Sequence, residues 1–288
     1  DMIRVGSRDS RLAVVQAEEV CRALGDCELI TMKTTGDMVL DKTLDKVGGK
    51  GLFVKELDCA LADGRVDLTV HSLKDVPMEQ PDGLPLVAFT KREDARDALV
   101  LPESGAWDKT KPIGCASARR RVQLKLLFPD IDVRPVRGNV QTRLAKLDSG
   151  AYGALVLAAA GLHRLGLEHR ISRYFSPDEI IPAAGQGILA VQGRAGELED
   201  AVRLVDDADA RDCATAERSF VQTLGGGCFA PVAAYAEVQD DTLHLRGLYG
   251  TADETHMARG AVTGRRAEAA ALGRTLALQL RHQAEERI

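Results

Sequence analysis

The sequence has no CxxC pair, and its six cysteines are spread over 288 residues. That excludes a disulfide framework and predicts free thiols in a reducing, cytoplasmic setting. No apolar run approaches the ~20 residues of a membrane span. Positive charge is not in excess: 38 Lys and Arg against 43 Asp and Glu leave −5, so bulk electrostatics predicts no nucleic-acid partner. With 45% hydrophobic and 28% charged residues, the composition excludes collagen, a disordered chain and a coiled coil. The histidines and cysteines show no metal-ligand spacing, and a G-x-S-x-G elbow is missing, so neither a metal centre nor a serine nucleophile is expected. Two near-motifs also fail. Gly48-Gly49-Lys50-Gly51 lacks the Ser or Thr of a phosphate loop, with Leu44 where its first Gly belongs. Gly185-Gln186-Gly187 follows Pro182-Ala183-Ala184 rather than a strand, which predicts a turn instead of a dinucleotide fingerprint. The opening Asp1-Met2-Ile3-Arg4-Val5 reads as a strand rather than a signal peptide.

What is present is a division of charge. Residues 1–91 carry 12 basic and 16 acidic side chains, 92–173 carry 15 and 9, and 174–288 carry 11 and 18. A basic middle between acidic flanks points to a local anion site, too modest for a polyanion. All 11 Lys precede position 147 while the 27 Arg run throughout. Biased base composition of the gene explains this as well as selection for bidentate carboxylate contacts does.

The first two thirds alternate short apolar runs with helical patterns, which predicts parallel α/β units. Strands are expected at Ile3–Val5, Leu29–Met32, Asp67–Val70, Leu99–Leu101, Ile113–Gly114 and Ala154–Ala158, and helices around Leu12–Leu24, from Phe53 to Gly64, from Ser117 to Leu127 and from Asn139 to Leu147. Ser117 and Asn139 are the expected N-caps. Gly36 to Gly51 has little reason to be ordered, and the prolines of 77–85 require a loop. From about 210 the character changes: a helix runs to Gly225-Gly226-Gly227, Leu243–Leu248 follows an Asp240-Asp241 turn as a strand, and Ala267–Leu280 closes as an amphipathic helix. The fold class read here is α/β: two α/β domains plus a small α+β C-terminal domain, divided as 1–91 with 188–206, 92–187, and 207–288.

Three places carry chemistry. Arg119-Arg120-Arg121 opens the helix capped by Ser117. In isolation a solvated charged face is the ordinary reading, but free amides, a hydroxyl and guanidinium forks with Arg134, Arg137 and Arg143 close behind favour a bound anion. Lys74-Asp75, at the carboxyl end of a strand, is either a surface turn or, among arginines, a proton-moving and cation-stabilising pair. Cys228 follows the three glycines; it is either a small core residue or an accessible, modified thiol. Cys21, Cys27, Cys59 and Cys213 are assigned to packing.

Taken together, these segments resemble the porphobilinogen deaminase (hydroxymethylbilane synthase) family. The resemblance runs nearly end to end. It is carried by Gly6-Ser7-Arg8-Asp9-Ser10 with Leu12-Ala13, by Val47 to Leu57, and by His71-Ser72-Leu73-Lys74-Asp75-Val76-Pro77. It continues through Arg92-Glu93-Asp94, Arg137-Gly138-Asn139-Val140 with Thr142-Arg143-Leu144, Ala160-Gly161-Leu162, Pro182 to Gly187, and Glu217-Arg218 leading to Gly226-Gly227-Cys228.

The resemblance implies a transferase of porphyrin and haem biosynthesis that joins four porphobilinogen units head to tail on a dipyrromethane primer. Ammonia leaves at each addition, and the product is hydrolysed free as hydroxymethylbilane. It implies a thioether from the dipyrromethane cofactor to Cys228. Asp75 is the implied catalytic carboxylate, assisting loss of ammonia and holding the azafulvene cation, with Lys74 beside it. Lys74, Ser117, Arg119 and Arg120 are implied to bind cofactor carboxylates, and Arg8, Ser10, Arg137, Arg143 and Arg164 those of substrate or growing chain, with Gln16 and Phe53 lining the substrate pocket. Gly36–Gly51 matches a mobile loop. The family fold has two domains like periplasmic binding proteins and a third, acts as a monomer and uses no metal.

Two departures stand against the family pattern: Cys115-Ala116-Ser117-Ala118 offers fewer hydroxyls before the arginine pair, and Ala230 replaces a branched aliphatic. The competing reading is a non-catalytic two-domain solute-binding protein for a small dicarboxylate; a second is a family member that has lost activity.

Overall fold

A computed structural model describes residues 1–34, 50–225 and 230–286 of the chain. Residues 1–89 hold β1 (Ile3–Arg8), α1 (Arg11–Leu24), β2 (Cys27–Met32), α2 (Lys55–Ala62), β3 (Leu68–Ser72) and β4 (Leu86–Phe89) among those described. Next come β5 (Asp97–Val100), β6 (Ile113–Cys115), α3 (Ala118–Leu127), β7 (Val133–Pro135), α4 (Val140–Asp148), β8 (Ala154–Ala158), α5 (Ala159–Arg164) and β9 (Ile171–Tyr174). The chain continues through β10 (Leu189–Gly193), α6 (Glu199–Val202), α7 (Ala208–Thr223), β11 (Val232–Gln239), β12 (Thr242–Gly250), β13 (Met257–Arg265) and α8 (Ala269–Glu285).

Local chemistry sets the helix starts. Ser10, Ser117, Asn139 and Asp207 each accept a backbone amide three residues on, capping α1, α3, α4 and α7. α1 ends at Gly25, whose φ of +99° is a conformation L side chains rarely adopt.

Two mixed sheets follow one plan. The first has the order β2-β1-β3-β10-β4 and the second β7-β6-β8-β5-β9. In the first, β1 runs parallel to β2 and β3, while β10 is antiparallel to β3 and β4. In the second, β6 runs parallel to β7 and β8, while β5 is antiparallel to β8 and β9. The expectation of purely parallel units is therefore corrected. In each sheet the reversed strand is the one that arrives from the other sheet: β5 after the crossing at 90–96, β10 after the crossing at 175–188. Every residue of both strands is buried. Apart from Asp97 and Gln192 these strands are short apolar runs, and such a run carries no direction in its sequence.

The third unit is an antiparallel meander, β11-β12-β13, covered by α7 and α8. Phe220, Leu245, Leu276 and Leu280 form its core. The two helices touch so closely at Gly273 that a Cβ there would lie 2.4 Å from the Ala216 carbonyl oxygen. Buried Glu217 of α7 fastens this unit to both crossings. Its oxygens accept from Arg92, at 2.7 Å each, from the Gly185 amide at 2.7 Å and from the Ala236 amide at 2.8 Å. A buried carboxylate so fully partnered is tolerated where a bare one would not be.

The expected turn at Gly185–Gly187 is present, with φ of +80° and +88° at its two glycines. One cysteine assignment is corrected: Cys59 is exposed, on the outer face of α2, whereas Cys213 is buried and Cys21 and Cys27 are half-buried. Cys27 opens β2, three residues past the end of α1. Among the described residues no helix is long and apolar enough to cross a membrane. The loop expected at Gly36–Gly51 lies mostly outside the described residues; only its last two positions are described, at the start of a short 3-10 turn, Lys50–Phe53.

Candidate active site

A cleft of about 380 Å3 opens between the two mixed sheets. It sits where parallel strands end: β1 leads to Ser10, β3 to Lys74 and Asp75, β6 to Ser117, and β8 to Ala160 and Gly161. Open α/β sheets bind ligands at that edge. The capped N-termini of α1, α3 and α4 open onto the same space through Ser10, Ser117 and Asn139, each adding the positive end of a helix dipole.

Charge in the cleft is one-sided. Arg8, Arg11 and Lys74 line it from the first sheet's side, and Arg119, Arg120, Arg143 and Arg164 from the second's; among the described residues Asp75 is the one lining carboxylate. Lys74 and Asp75 occupy a 3-10 turn, Leu73–Asp75, whose apolar members Leu73 and Val76 are buried beneath them. Among the described residues no hydrogen bond or ion pair engages the Asp75 carboxylate, which leaves it available to a ligand. Burial, then the neighbouring Arg120, pushes the half-buried Lys74 ammonium down to about 8.

The arginine pair is only partly free for a ligand. The anion expected at the start of α3 is supplied by the chain itself: Asp97, fully buried, lies against both guanidinium groups. Arg119 reaches its Oδ2 at 2.8 Å, and Arg120 grips it with Nε and one Nη at 3.1 Å each. Gln186 Nε2 adds a bond at 2.8 Å, and Arg119 also donates to the Ile181 carbonyl at 2.9 Å. The two cations outweigh the cost of burying Asp97 and hold its carboxyl well below the usual carboxylate range. The Ser117 hydroxyl accepts the Arg120 amide and keeps its own proton for a ligand.

Other expected residues converge as well. The Arg8 guanidinium stacks 4.1 Å from the Phe53 ring centroid, and Gln16 Oε1 accepts from the Ser72 hydroxyl at 3.1 Å. Arg143 donates Nε to the Gly138 carbonyl at 2.8 Å, leaving its Nη atoms toward the cleft; burial pushes it down to about 10. Arg164 bonds the Gly187 carbonyl at 3.1 Å; its buried Nε has no hydrogen-bond partner, with Glu19 3.4 Å away as an ion pair.

Arg137 does not join them: it is exposed and lies outside the cleft wall, and Arg134 is paired with Asp132 on the surface. Cys228 lies outside the described residues, as do Gly226 and Gly227. Sequence reasoning missed Arg11, which lines the cleft one residue past a helix cap; its signal was adjacency to Ser10. It also missed Gln186 and Asp97, whose neighbours are distant in sequence. Buried His71, beside Arg8 in a side cavity of about 70 Å3, was likewise unassigned; burial pushes its imidazole down to about 4, so it is neutral.

Comparison with known proteins covers nearly the whole chain. A family model described as "Porphobilinogen deaminase, dipyromethane cofactor binding domain" matches residues 3–201, and one described as "Porphobilinogen deaminase, C-terminal domain" matches 212–282. A porphobilinogen deaminase of Ruminiclostridium cellulolyticum is 55% identical over 277 residues, covering 94% of each chain. One from Alkaliphilus oremlandii is 53% identical over 291 residues, covering 98% of each, and one from Chromobacterium violaceum is 47% identical, covering 97% of this chain and 94% of that one.

Proposed function

The chain belongs to the porphobilinogen deaminase family, and from that premise we propose how its residues divide the work. The enzyme is a transferase of tetrapyrrole synthesis, joining porphobilinogen units with loss of ammonia to give hydroxymethylbilane. Each unit adds two carboxylates, so negative charge accumulates as the chain grows. The observation that carries the reading of the cleft is its seven basic side chains against one carboxylate among the described residues. Guanidinium forks match planar carboxylates with two parallel hydrogen bonds, which suits a ligand rich in acetate and propionate arms.

When bound, dipyrromethane supplies the pyrrole carbon to which the first unit is joined. The residues present fit such a group: Lys74, which has no hydrogen-bond or ion-pair partner among the described residues, lines the cleft with Arg143, Arg164 and Ser117, whose hydroxyl proton is free for a ligand. In this reading Cys228 is the anchoring thiol. Arg119 and Arg120 fix the floor through Asp97 and offer their remaining donors to cofactor carboxylates. Arg8, Ser10, Gln16, Phe53, Arg143 and Arg164 hold the substrate's arms and ring, with Arg11 added and Arg137 left outside.

As the carbon–nitrogen bond of the aminomethyl group breaks, its electron pair leaves with ammonia and positive charge spreads over the pyrrole. Asp75, a lone anion among cations, stabilises that charge where it develops. Lys74 pairs with a neighbouring carboxylate and, as its ammonium, gives the aminomethyl nitrogen the proton with which it leaves as ammonia. The domain division 1–91 with 188–206, 92–187 and 207–288 is supported by β10 completing the first sheet. The reading also takes the chain as a cytoplasmic monomer acting on a small molecule, without nucleic acid.

Intact mass spectrometry tests the reading. Protein from a haem-making host is expected to exceed its sequence mass by two pyrrole units, and Cys228→Ala to lose that excess. Mixing with porphobilinogen is expected to release ammonia. An unmodified mass with no turnover would return the reading to the solute-binding alternative.

A further inference from the structure

The catalytic turn is built on the helix of another unit. Leu73 and Val76, the buried flanks of Lys74-Asp75, pack in one cluster with Ala210 and Ala214 of α7. Two residues on, Met78 packs against the core of the C-terminal unit. Between these contacts stands Arg218, also on α7. It donates to the carbonyls of Val76 at 3.3 Å, Pro77 at 2.7 Å and Met78 at 3.4 Å.

Arg218 is unusual in its partners. Among the described residues no carboxylate pairs with it, so its charge is spent on backbone oxygens alone. Burial pushes it down to about 10, which leaves it charged at neutral pH. A guanidinium suits this task because its planar donors reach several carbonyls at once, whereas an ammonium acts as a point charge. Pro77 has no amide to donate, and the Val76 amide is already spent on the Leu73 carbonyl at 3.0 Å, within the turn. Gln80 Nε2 shares the Pro77 carbonyl at 2.7 Å, but it belongs to the same loop, so Arg218 is the hydrogen-bonding tie to these carbonyls that comes from another unit.

We propose that Arg218 is a positioning residue for the reaction: by clamping the carbonyls of residues 76–78 from α7, it fixes the depth and direction at which Asp75 enters the cleft. The inference rests on the assignment of Asp75 made above. Glu217, its neighbour in sequence, grips both interdomain crossings. One turn of α7 therefore ties the hinge and the catalytic turn to the C-terminal unit, so that Asp75 keeps its place while the two sheets move apart to admit a longer chain.

The test compares Arg218→Met and Arg218→Lys with Arg211→Met in the full-length, cofactor-bearing enzyme. Arg211 is the control: it also anchors α7 to the first unit, through Asp206 and the Val87 carbonyl and over the Phe89 ring, but it makes no hydrogen bond to residues 76–78 and does not line the cleft. Arg218→Met is expected to keep full cofactor mass and a KM for porphobilinogen within about twofold, while kcat falls roughly tenfold, less than a misplacement of about 1 Å can cost. Arg218→Lys should recover part of the rate. Hydrogen exchange of the peptide 71–80 should quicken in Arg218→Met and stay unchanged in Arg211→Met. Unchanged kcat and exchange in Arg218→Met would overturn the proposal, as would an equal fall of kcat in the Arg211 control. Wild-type enzyme that fails to turn over porphobilinogen would instead sink the functional reading beneath it.

Discussion

The Glu217 carboxylate meets the Arg92 guanidinium with both terminal nitrogens 2.7 Å from its two oxygens, in the interior between three units. Arg92 belongs to the first crossing and Glu217 to α7, 125 residues later. Each is expensive to bury alone and acceptable together.

Removing one partner should therefore cost more than removing both. Arg92→Met is expected to destabilise by about 3–5 kcal/mol, the penalty of an unpaired buried charge, and Arg92→Met with Glu217→Leu to recover a large part. Urea unfolding of the single and double variants measures the difference; additive losses would contradict the pairing argument.

Asp97 makes a comparable prediction for acid stability. Its folded carboxyl is held below the usual range by Arg119 and Arg120. A lowered pKa contributes stability that is complete above the unfolded value of about 3.9 and is lost as pH falls through the folded one. Asp97→Asn should thus be less stable than wild type at pH 7 and converge with it in strong acid. It should also lose cofactor mass, because both guanidinium groups lose the anion that orients them. A variant with full mass would separate Asp97 from the site.

Lys74 supplies an alkaline signature. Burial and Arg120 push it down to about 8. Gripping a cofactor carboxylate and protonating the leaving amine both need its ammonium form, so kcat should fall as pH climbs through about 8, and Lys74→Arg, charged throughout, should abolish that step. Stability moves oppositely: the unfolded side chain holds its proton to higher pH, near 10.4, so folding gains between the two values. A kcat independent of pH from 7 to 9 would remove Lys74 from both roles.

Asp75→Asn should retain the cofactor mass and lose at least about a hundredfold in kcat, the scale at which a preorganised electrostatic partner acts. The role proposed for it is charge stabilisation rather than tethering. Mass spectrometry and ammonia release, read on one sample, check both halves.

Much of this was legible in the sequence where the cause is local. The caps at Ser117 and Asn139, the strand Ala154–Ala158 and the helix that ends before Gly225 rest on hydrogen bonds and periodicities within a few residues. So did Lys74-Asp75, placed by the end of a strand. The chain alone thus determined its longer helices, seven of its thirteen described strands and its family, and it pointed to Asp75 as the proposed carboxylate of its chemistry.

What only the tertiary structure decided are the relations between distant segments. The reversed strands β5 and β10 take their direction from crossings between sheets, not from their own residues. Arg119 and Arg120 appeared from spacing to be open to a ligand, yet Asp97, 22 and 23 residues away, already claims much of both. Arg137 falls outside the cleft and Arg11 inside it because helix and strand ends fix which way each points. Arg218 reaches back 140 to 142 residues to the turn behind Asp75. Short-range chemistry is written in neighbouring residues, whereas a buried charge is settled by whichever partner the packed chain brings within hydrogen-bond reach.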